Sequence, residues 1–368
     1  MQIPVVNLRH QIESTRAAWQ QNLEEMFGRQ HFILGEQVRL FEQELAAAFG
    51  SNHAVGCGNG TDAISLCLRA ANITNPKQEV ITTALTAPFS GIGILGSGAV
   101  PRFADINPRT LQIDADDAAN RITKRTAALM PVHLYGQACD IAKLARIARS
   151  EKLTLIQDAA QAHGLQPAGK PLTAYSNYVS YSFYPTKNLG CLGDGGAVCT
   201  NSSTIAARLR DRRDGGRRGG QVTYVAGINS RLDEMHACYL RAFLPQLVSW
   251  NAERNRIAAL YDEGLKDLPG LQLIERTAES VCHLYVVRTR KRDALRRYLA
   301  ERGVGTGVHY PLPLHLHPTY HDCGLKRGDL PHAERAAREV LSLPLWVGLP
   351  THDVEEVVSR IRSFFAVS

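Results

Sequence analysis

Residues 179–198 read VSYSFYPTKNLGCLGDGGAV and combine a strand-like run, a single lysine and a group of glycines. The run from 178 to 183 predicts a β-strand, and the glycines predict a turn. This strand would deliver Ser182, Lys187 and Asn188 to one edge of a sheet. A lysine that is partly desolvated at such an edge has a lowered pKa, as an imine-forming amine requires. The alternative, an ordinary surface lysine, is commoner, so the surrounding sequence must distinguish the two.

Two other stretches place polar residues at predicted strand ends. Residues 155–164, LIQDAAQAHG, put Asp158 after an apolar strand, where a carboxylate is costly without a cation or a hydrogen-bond donor. Residues 58–64, GNGTDAI, form a glycine turn before a helix, whose exposed N–H groups favour an anion. The alternative is a plain helix cap with Thr61 or Asp62 as the N-cap residue. Ligands bind at the carboxyl edge of parallel strands, where all three stretches would meet.

The rest of the chain alternates strand and helix patterns. Short apolar or β-branched runs, such as EVITTA, VPRFADI and TAALMPVHLYG, are separated by helical patterns such as DIAKLARIARSEK. This alternation predicts an α/β domain with a mostly parallel sheet covered on both faces. After residue 230 a long helical pattern, interrupted near Pro245, leads to a smaller C-terminal α+β unit. We therefore expect a large domain with an N-terminal helical segment at 1–245 and a small domain at 246–368.

Composition excludes several classes of protein. The 368 residues are 44% apolar and 21% charged, which is typical of globular proteins. No apolar run is long enough to cross a bilayer, and the N-terminus lacks a signal-peptide pattern, so we expect a cytoplasmic protein without a membrane partner. The eight cysteines include no C-x-x-C pair, which predicts reduced thiols rather than disulfides or a zinc site. The histidine-rich segment 309–321 has the prolines of a loop, and we expect no metal there.

Six arginines crowd residues 208–221, RLRDRRDGGRRGGQ, a segment that we call the arginine loop. It is either a solvated helix end with a flexible glycine turn or a binding site for a phosphate-bearing substrate. It has no interleaved aromatic residues and no nucleic-acid-binding motif, so a nucleic-acid partner is not expected. The sequence also lacks the glycine patterns of Rossmann and P-loop nucleotide sites.

Taken together, the turn at 58–62, Asp158 and Lys187 match the needs of one cofactor. Pyridoxal 5'-phosphate (PLP) requires a lysine that forms an imine, a carboxylate at its ring nitrogen and an anion site for its phosphate. The carboxylate keeps the ring nitrogen protonated, so that the ring accepts electrons when a proton leaves the substrate carbon. Each pattern is weak alone, but their order and spacing favour a PLP site.

Several long motifs, spread over about residues 3–360, resemble the sugar aminotransferase family of the DegT/StrS type: GNGTDAI, PVHLYGQ, QDAAQAHG, SYSFYPTKNLGCLGDGGAV, GINSRLDEMHA, GVGTGVHYPLPLHL and SLPLWVGL. The resemblance implies a fold-type I PLP-dependent aminotransferase, α/β with a mostly parallel central sheet and a smaller C-terminal α+β domain. It also implies a homodimer with active sites at the subunit interface. The implied reaction aminates a keto group on a nucleotide-linked sugar, with L-glutamate as the amino donor.

The resemblance gives the catalytic roles to Lys187 and Asp158. Lys187 would hold the cofactor covalently and then move a proton between the substrate carbon and the cofactor carbon. Asp158 would pair with the pyridine nitrogen, and Gln161 would lie beside the phenolic oxygen. The remaining implied contacts are four phosphate ligands and one further cofactor contact: Gly60, Thr61, Asp62 and Ser182, and then Asn188.

Other implied residues belong to the rim of the site. Asn229 would reach the phosphate of the partner subunit's cofactor, and His309 and Tyr310 would lie near the sugar. Arg231, together with the arginine loop, is a candidate for the substrate's diphosphate. The family often has an aromatic residue stacked on the cofactor ring after a threonine, but here alanine stands in the aligned place. We expect Phe89, two residues further on, to supply the stacking ring.

Three alternatives to a nucleotide-sugar aminotransferase are kept. Within the family, the substrate is either a nucleotide-linked hexose, for which we favour a dTDP-linked 6-deoxy-3-keto sugar, or a free keto-cyclitol of an aminoglycoside-type pathway. A different class is a PLP-bound regulator without catalytic activity, although no DNA-binding domain is attached. A lyase would need a mobile nucleophilic cysteine, for which Cys191 is the nearest candidate, although filling space in the glycine turn is the better interpretation.

Overall fold

The structure, a computed structural model, describes residues 2–367. Its helices are α1 (Arg9–Ser14), α2 (Arg16–Arg29), α3 (Glu36–Ala48), α4 (Gly60–Ala70), α5 (Pro88–Ser97), α6 (Ala115–Asn120), α7 (Ile141–Ser150), α8 (Ser203–Arg213), α9 (Glu234–Phe243), α10 (Leu247–Leu265), α11 (Arg292–Glu301), α12 (Pro331–Glu339) and α13 (Thr351–Val367). Its strands are β1 (His53–Cys57), β2 (Glu79–Thr83), β3 (Val100–Ala104), β4 (Thr126–Met130), β5 (Thr154–Leu155), β6 (Gln157–Asp158), β7 (Val179–Ser182), β8 (Gly196–Thr200), β9 (Gln272–Leu273), β10 (Tyr285–Arg288) and β11 (Val340–Leu343).

The large sheet consists of two ladders that meet at a parallel bridge between Val132 and Asp158. One ladder has the order β3-β2-β4-β5 and is parallel throughout, and the other has the order β6-β7-β8-β1. Only β8 in this second ladder runs antiparallel to its neighbours. The predicted mostly parallel sheet is therefore confirmed, and its parallel strands bring their carboxyl ends to one edge.

Helices cover both faces of this sheet, as alternate residues of β8 show. Ala197 and Cys199 belong to a core shared with α3 and α9, whereas Val198 belongs to a core shared with α4 and α8. Since side chains along a strand point to opposite faces, these two cores lie on opposite sides of the sheet. The glycines after Lys187 predict a turn, but strand β8 begins at the last of them, Gly196, and pairs with β1 and β7.

The helical pattern after residue 230 is interrupted where the sequence predicts it. A short 3₁₀ turn at Leu244–Gln246 contains Pro245 and separates α9 from α10. The antiparallel sheet β11-β10-β9 and helices α10, α11 and α13 enclose a third core. Ile3 is buried in that same core and pairs with Val304. The first residues thus pack with the small unit, while the domain ranges 1–245 and 246–368 stay a prediction.

Within residues 2–367, no helix has both the length and the apolar character that crossing a membrane requires. The cytoplasmic location stays a prediction.

Candidate active site

The turn between β1 and α4 forms one wall of the site. Asn59 is the N-cap of α4, since its side-chain oxygen accepts the N–H of Asp62 at 2.8 Å. The alternative interpretation, a helix cap at Thr61 or Asp62, is therefore wrong by two or three residues. Gly60 and Thr61 lie in the first turn, where helix N–H groups have no partner within the helix and favour an anion.

Gly60 packs directly against Ser182 at the end of β7. A Cβ atom on Gly60 would lie 2.5 Å from the Cβ of Ser182, so only glycine fits at this position. The carboxylate of Asp62 accepts hydrogen bonds from Ser230 at 2.6 Å and from Asn59 at 3.1 Å. The structure thus brings together the four predicted phosphate residues, Gly60, Thr61, Asp62 and Ser182, which we call the phosphate cradle. The Asp62 carboxylate holds the segment around Ser230.

Asp158 lies at the end of β6 and is 3% exposed. Its Oδ2 accepts a hydrogen bond from Ser90 at 2.8 Å, and its Oδ1 accepts one from the N–H of Ala160 at 3.1 Å. Burial raises the pKa of Asp158, while these two bonds and the charge of Lys187 act in the opposite direction. Ser90 was not among the predicted residues, although a serine in the first turn of a helix after a strand end was a usable signal.

Lys187 lies in the segment 184–190, which we call the lysine turn. Its backbone N–H donates to the carbonyl of Tyr184 at 2.9 Å. Burial lowers the pKa of Lys187 to about 8, and the neighbouring Asp158 carboxylate raises it. Because burial is the larger effect, a substantial fraction of the amine is neutral near pH 8, as imine formation requires. Asp158 and Lys187, both expected at this sheet edge, thus lie close enough for the charge of each to affect the pKa of the other.

Gln161 connects the large domain with the segment around Tyr310. Its side-chain oxygen accepts the N–H of Tyr135 at 2.6 Å, and its Nε2 donates to the hydroxyl of Tyr310 at 3.1 Å. The Tyr135 hydroxyl in turn donates to the carbonyl of His309, whose ring Nδ1 lies 2.8 Å from the hydroxyl of Ser342. The structure therefore places the predicted sugar residues beside a predicted cofactor residue, with Tyr135 as an additional member that the sequence did not single out.

Asn188 has surroundings different from those expected. It is fully buried, and its Nδ2 donates to Asn251 at 2.9 Å and to the carbonyl of Val281 at 2.8 Å. Its Oδ1 accepts a bond from the ring Nδ1 of His283 at 3.1 Å. These three partners give the side chain a structural role, while its contact with the cofactor stays a prediction. Asn251 and His283 come from distant segments, and no local pattern points to them.

The remaining predicted residues lie around this centre. Phe89 is exposed at the start of α5, one residue before Ser90, and its stacking role stays a prediction. Asn229 is exposed and precedes Ser230, whose hydroxyl donates to Asp62 of the phosphate cradle. Arg231 donates to the carboxylate of Asp214 at 3.1 Å, which balances its charge.

Cys191 has none of the properties of a nucleophile. It is 1% exposed, its thiol donates to the carbonyls of Phe183 and Gly193, and burial raises its pKa to about 12. A buried thiol with a raised pKa is inert, so the lyase alternative loses its candidate. Among residues 2–367, histidine, cysteine and acidic side chains form no group of three or more that could hold a metal ion.

A buried carboxylate, an amine of low pKa and a glycine cradle that a Cβ would fill are the groups that PLP needs. The fold and these residues define a PLP-dependent aminotransferase of fold-type I. The family profile described as DegT/DnrJ/EryC1/StrS aminotransferase family matches residues 13–362. The chain belongs to this family, and its predicted fold, cofactor and enzyme class are confirmed.

Similar proteins cover nearly the whole chain. A "Pleiotropic regulatory protein" of Geobacillus stearothermophilus is 41% identical, with 99% of each chain covered. A dTDP-3-amino-3,4,6-trideoxy-alpha-D-glucose transaminase of Streptomyces venezuelae is 40% identical over 98% of this chain and 96% of its own. The crystal structure of S. venezuelae DesV in complex with a ketimine intermediate superimposes with a TM-score of 0.96, at 40% identity, covering 99% of this chain and 98% of that one.

Proposed function

We propose that the protein transfers the amino group of L-glutamate to the 3-keto group of a dTDP-linked 6-deoxyhexose. The observation that carries the proposal is the placement of Lys187, with a pKa of about 8, in one site with the buried carboxylate of Asp158. The substrate class is supported by the S. venezuelae relative, whose name specifies a dTDP-linked 3-amino sugar.

The residues of this site have separable tasks. When bound, PLP supplies an aldehyde that condenses with amines and a ring that accepts electrons. The amine of Lys187 would hold it, and its low pKa allows the same amine to take up and return a proton at the substrate carbon. Asp158, fixed by Ser90, would keep the ring nitrogen protonated, and the Gly60 turn would hold the phosphate.

The sugar would enter from the side of His309 and Tyr310. The Tyr310 hydroxyl is held by Gln161, and the backbone of His309 is held by Tyr135, so this wall of the site is fixed before the substrate arrives. The arginine loop and Arg231 would meet the diphosphate. Fixed groups of this kind reduce the ordering cost of binding.

A homodimer with shared sites is part of the proposal. Large apolar side chains are exposed on α5, within the lysine turn and just after it: Phe89, Ile92, Leu95, Tyr184 and Leu192. An exposed apolar surface of this kind is typical of a protein interface, and we assign it to a second copy of the chain. The exposed Asn229 would then reach the partner's phosphate cradle, so that neither subunit has a complete site alone.

The reaction is tested by following 2-oxoglutarate formation from L-glutamate with a panel of keto substrates. The purified protein should be yellow and should aminate the dTDP-linked 3-keto sugar, whereas Lys187→Ala should be colourless and at least about 10⁴-fold slower. Lys143→Ala, which removes a lysine paired with Asp116 on the surface, is the control and should keep its activity. Amination by the colourless variant would refute the assignment.

The same panel decides between the alternatives. Turnover of unphosphorylated keto-cyclitols alone would replace the nucleotide-sugar proposal with the cyclitol one. The name of the G. stearothermophilus relative favours a regulator as the second candidate. That candidate requires a yellow protein that moves no amino group to any member of the panel.

Shared sites are tested by mixing two inactive variants, Lys187→Ala and Asn229→Ala. A mixed dimer would contain one site with both native residues and one site with neither. Random exchange should therefore restore about a quarter of the native activity, since half of the dimers are mixed and each has one intact site. A mixture no more active than its components would show that Asn229 acts within its own subunit.

A further inference from the structure

Asn188, the residue after the catalytic lysine, is anchored to two distant parts of the chain. Its amide donates to Asn251 of α10 and to the carbonyl of Val281, and it accepts a bond from His283, with all three distances between 2.8 and 3.1 Å. Asn188 is 0% exposed and Asn251 is 9% exposed. Buried bonds of this kind are costly to break, because the groups left behind have no water to replace their partner.

The network continues from α10 to the phosphate cradle. Asn251 Nδ2 donates to the carbonyl of His163 at 2.9 Å, and the His163 ring Nε2 donates to the carbonyl of Ser182 at 2.9 Å. Burial lowers the pKa of His163 to about 3, so the ring stays neutral. The chain segment from Ser182 to Asn188 contains Lys187. Asn251 on α10 accepts a bond from Asn188 at one end of this segment and is linked through His163 to Ser182 at the other end.

The segment 280–283 is itself fixed to the large domain. The N–H groups of Val281 and His283 donate to the carbonyls of Gly136 and Tyr135, at 2.9 and 2.8 Å. Gly136 has a φ of +86°, and a Cβ there would lie 2.8 Å from the backbone nitrogen of His283. The close approach of these backbones requires glycine, and it gives Asn188 rigid partners.

We propose that Asn188 is a positioning residue for Lys187, fixing the backbone that carries the amine by tying it to α10 and to segment 280–283. This proposal rests on the role given to Lys187 under the proposed function. A lysine side chain is a flexible four-carbon stem, so the location of its amine depends on how firmly its backbone is held. Without the anchor, the amine would spend less time at the reacting carbon and more time in water.

The test compares Asn188→Ala with native enzyme in three measurements. In steady-state kinetics, kcat should fall about 10- to 100-fold while KM for the nucleotide sugar changes less than about threefold. In the full chain stripped of cofactor by hydroxylamine, labelling of Lys187 with acetic anhydride should have a midpoint near pH 8 in the native protein. In Asn188→Ala the midpoint should move towards the ordinary lysine value, because the loosened amine is better hydrated. Thermal melting shows whether the variant is folded.

Asn255→Ala is the matched control. Asn255 lies on the same helix and donates to the carbonyl of Ser280 at 2.8 Å, but it does not bond to Asn188. Its removal should leave kcat and the labelling midpoint unchanged. Asn251→Ala enters the network from α10 and should reproduce the effects of Asn188→Ala in a weaker form.

The outcomes separate this proposal from the proposed function. A folded Asn188→Ala variant with native kcat and a native labelling midpoint overturns the positioning role. If that variant does not fold, Asn251→Ala decides in the same way. Effects as large in Asn255→Ala would show general loosening and would also overturn the role. If native protein aminates no sugar, the proposed function fails, while the labelling midpoint still tests the anchor on Lys187.

Discussion

The lysine turn holds one cation and one glycine and the arginine loop holds several of each, and the two regions lie in opposite surroundings. In the lysine turn, Asn188, Leu189 and Gly190 are buried, and Asn188 bonds to three interior partners. In the arginine loop, the side chain of Arg218 is 57% exposed and pairs with Asp211 at 2.8 Å. The first region is held by interior hydrogen bonds. In the second, Arg213 forms a buried ion pair with Glu42, whereas Arg217 and Arg218 are held by ion pairs nearer the surface.

This difference shows which cation is suited to chemistry and which to binding. Burial lowers the pKa of Lys187 to about 8, so its amine is available as a nucleophile and base. Arginine stays charged at any working pH, and exposed ion pairs hold it only weakly. The lysine turn is therefore preorganised for bond making, while the arginine loop can rearrange around an anion.

The largest expected effect is that of Asp158→Asn. Removing the carboxylate should lower kcat about 10²- to 10³-fold, because the protonated ring nitrogen loses its charged partner. Asp158 also raises the pKa of Lys187, so in the cofactor-free chain the labelling midpoint of Lys187 should fall below about pH 8. Below the midpoint the amine is protonated and unreactive, and the variant should stay reactive to lower pH than native protein.

Asp116→Asn is the control for this change. The Asp116 side chain is 76% exposed and pairs with Lys143 on the surface. It should leave both kcat and the midpoint unchanged. A midpoint in Asp158→Asn at or above the native one would contradict the electrostatic coupling and would weaken the contrast between the two regions.

A smaller effect is expected for Gly60→Ala in the phosphate cradle. The new methyl group would meet Ser182 at 2.5 Å, so the cradle must open. We expect a loss of about 1–3 kcal/mol in the free energy of unfolding and a tenfold or greater loss in PLP affinity, measured by denaturation and by titration. Gly220→Ala in the arginine loop has no atom within 4 Å and should change stability by less than about 0.5 kcal/mol. Equal effects of the two substitutions would contradict the difference between a tightly packed cradle and an open arginine loop.

The sequence predicts the strand ends because their signals are local. Asp158, Ser182 and Lys187 each follow a short apolar run, and parallel strands bring such ends together. The helix cap was misplaced from Asn59 to Thr61 or Asp62 because neighbouring polar residues compete for that role. Strand β8 was missed because its glycine and alanine resemble a turn.

Contacts between distant segments leave no such signal. Ser90 and Asp158 are 68 residues apart, and Asn188 and His283 are 95 residues apart. Each partner is an ordinary polar residue in its own segment, and only the folded chain shows that it is buried and bonded. The chemistry of the site was therefore predictable, whereas the groups that hold it in place were not.

The smallest effect is expected for Arg218→Ala in the arginine loop. The ion pair with Asp211 is exposed, so its loss should change the free energy of unfolding by about 0.5 kcal/mol or less. If the loop meets the substrate's diphosphate, KM for the nucleotide sugar should rise severalfold, and less so at high salt, because salt screens exposed charges. The kcat should stay native, since this cation binds and does not react. Steady-state kinetics at two salt concentrations separate the effect on KM from that on kcat. A fall in kcat comparable to that of Asp158→Asn would mean that the arginine loop takes part in catalysis. The assignment of catalysis to the lysine turn and of binding to the arginine loop would then be wrong.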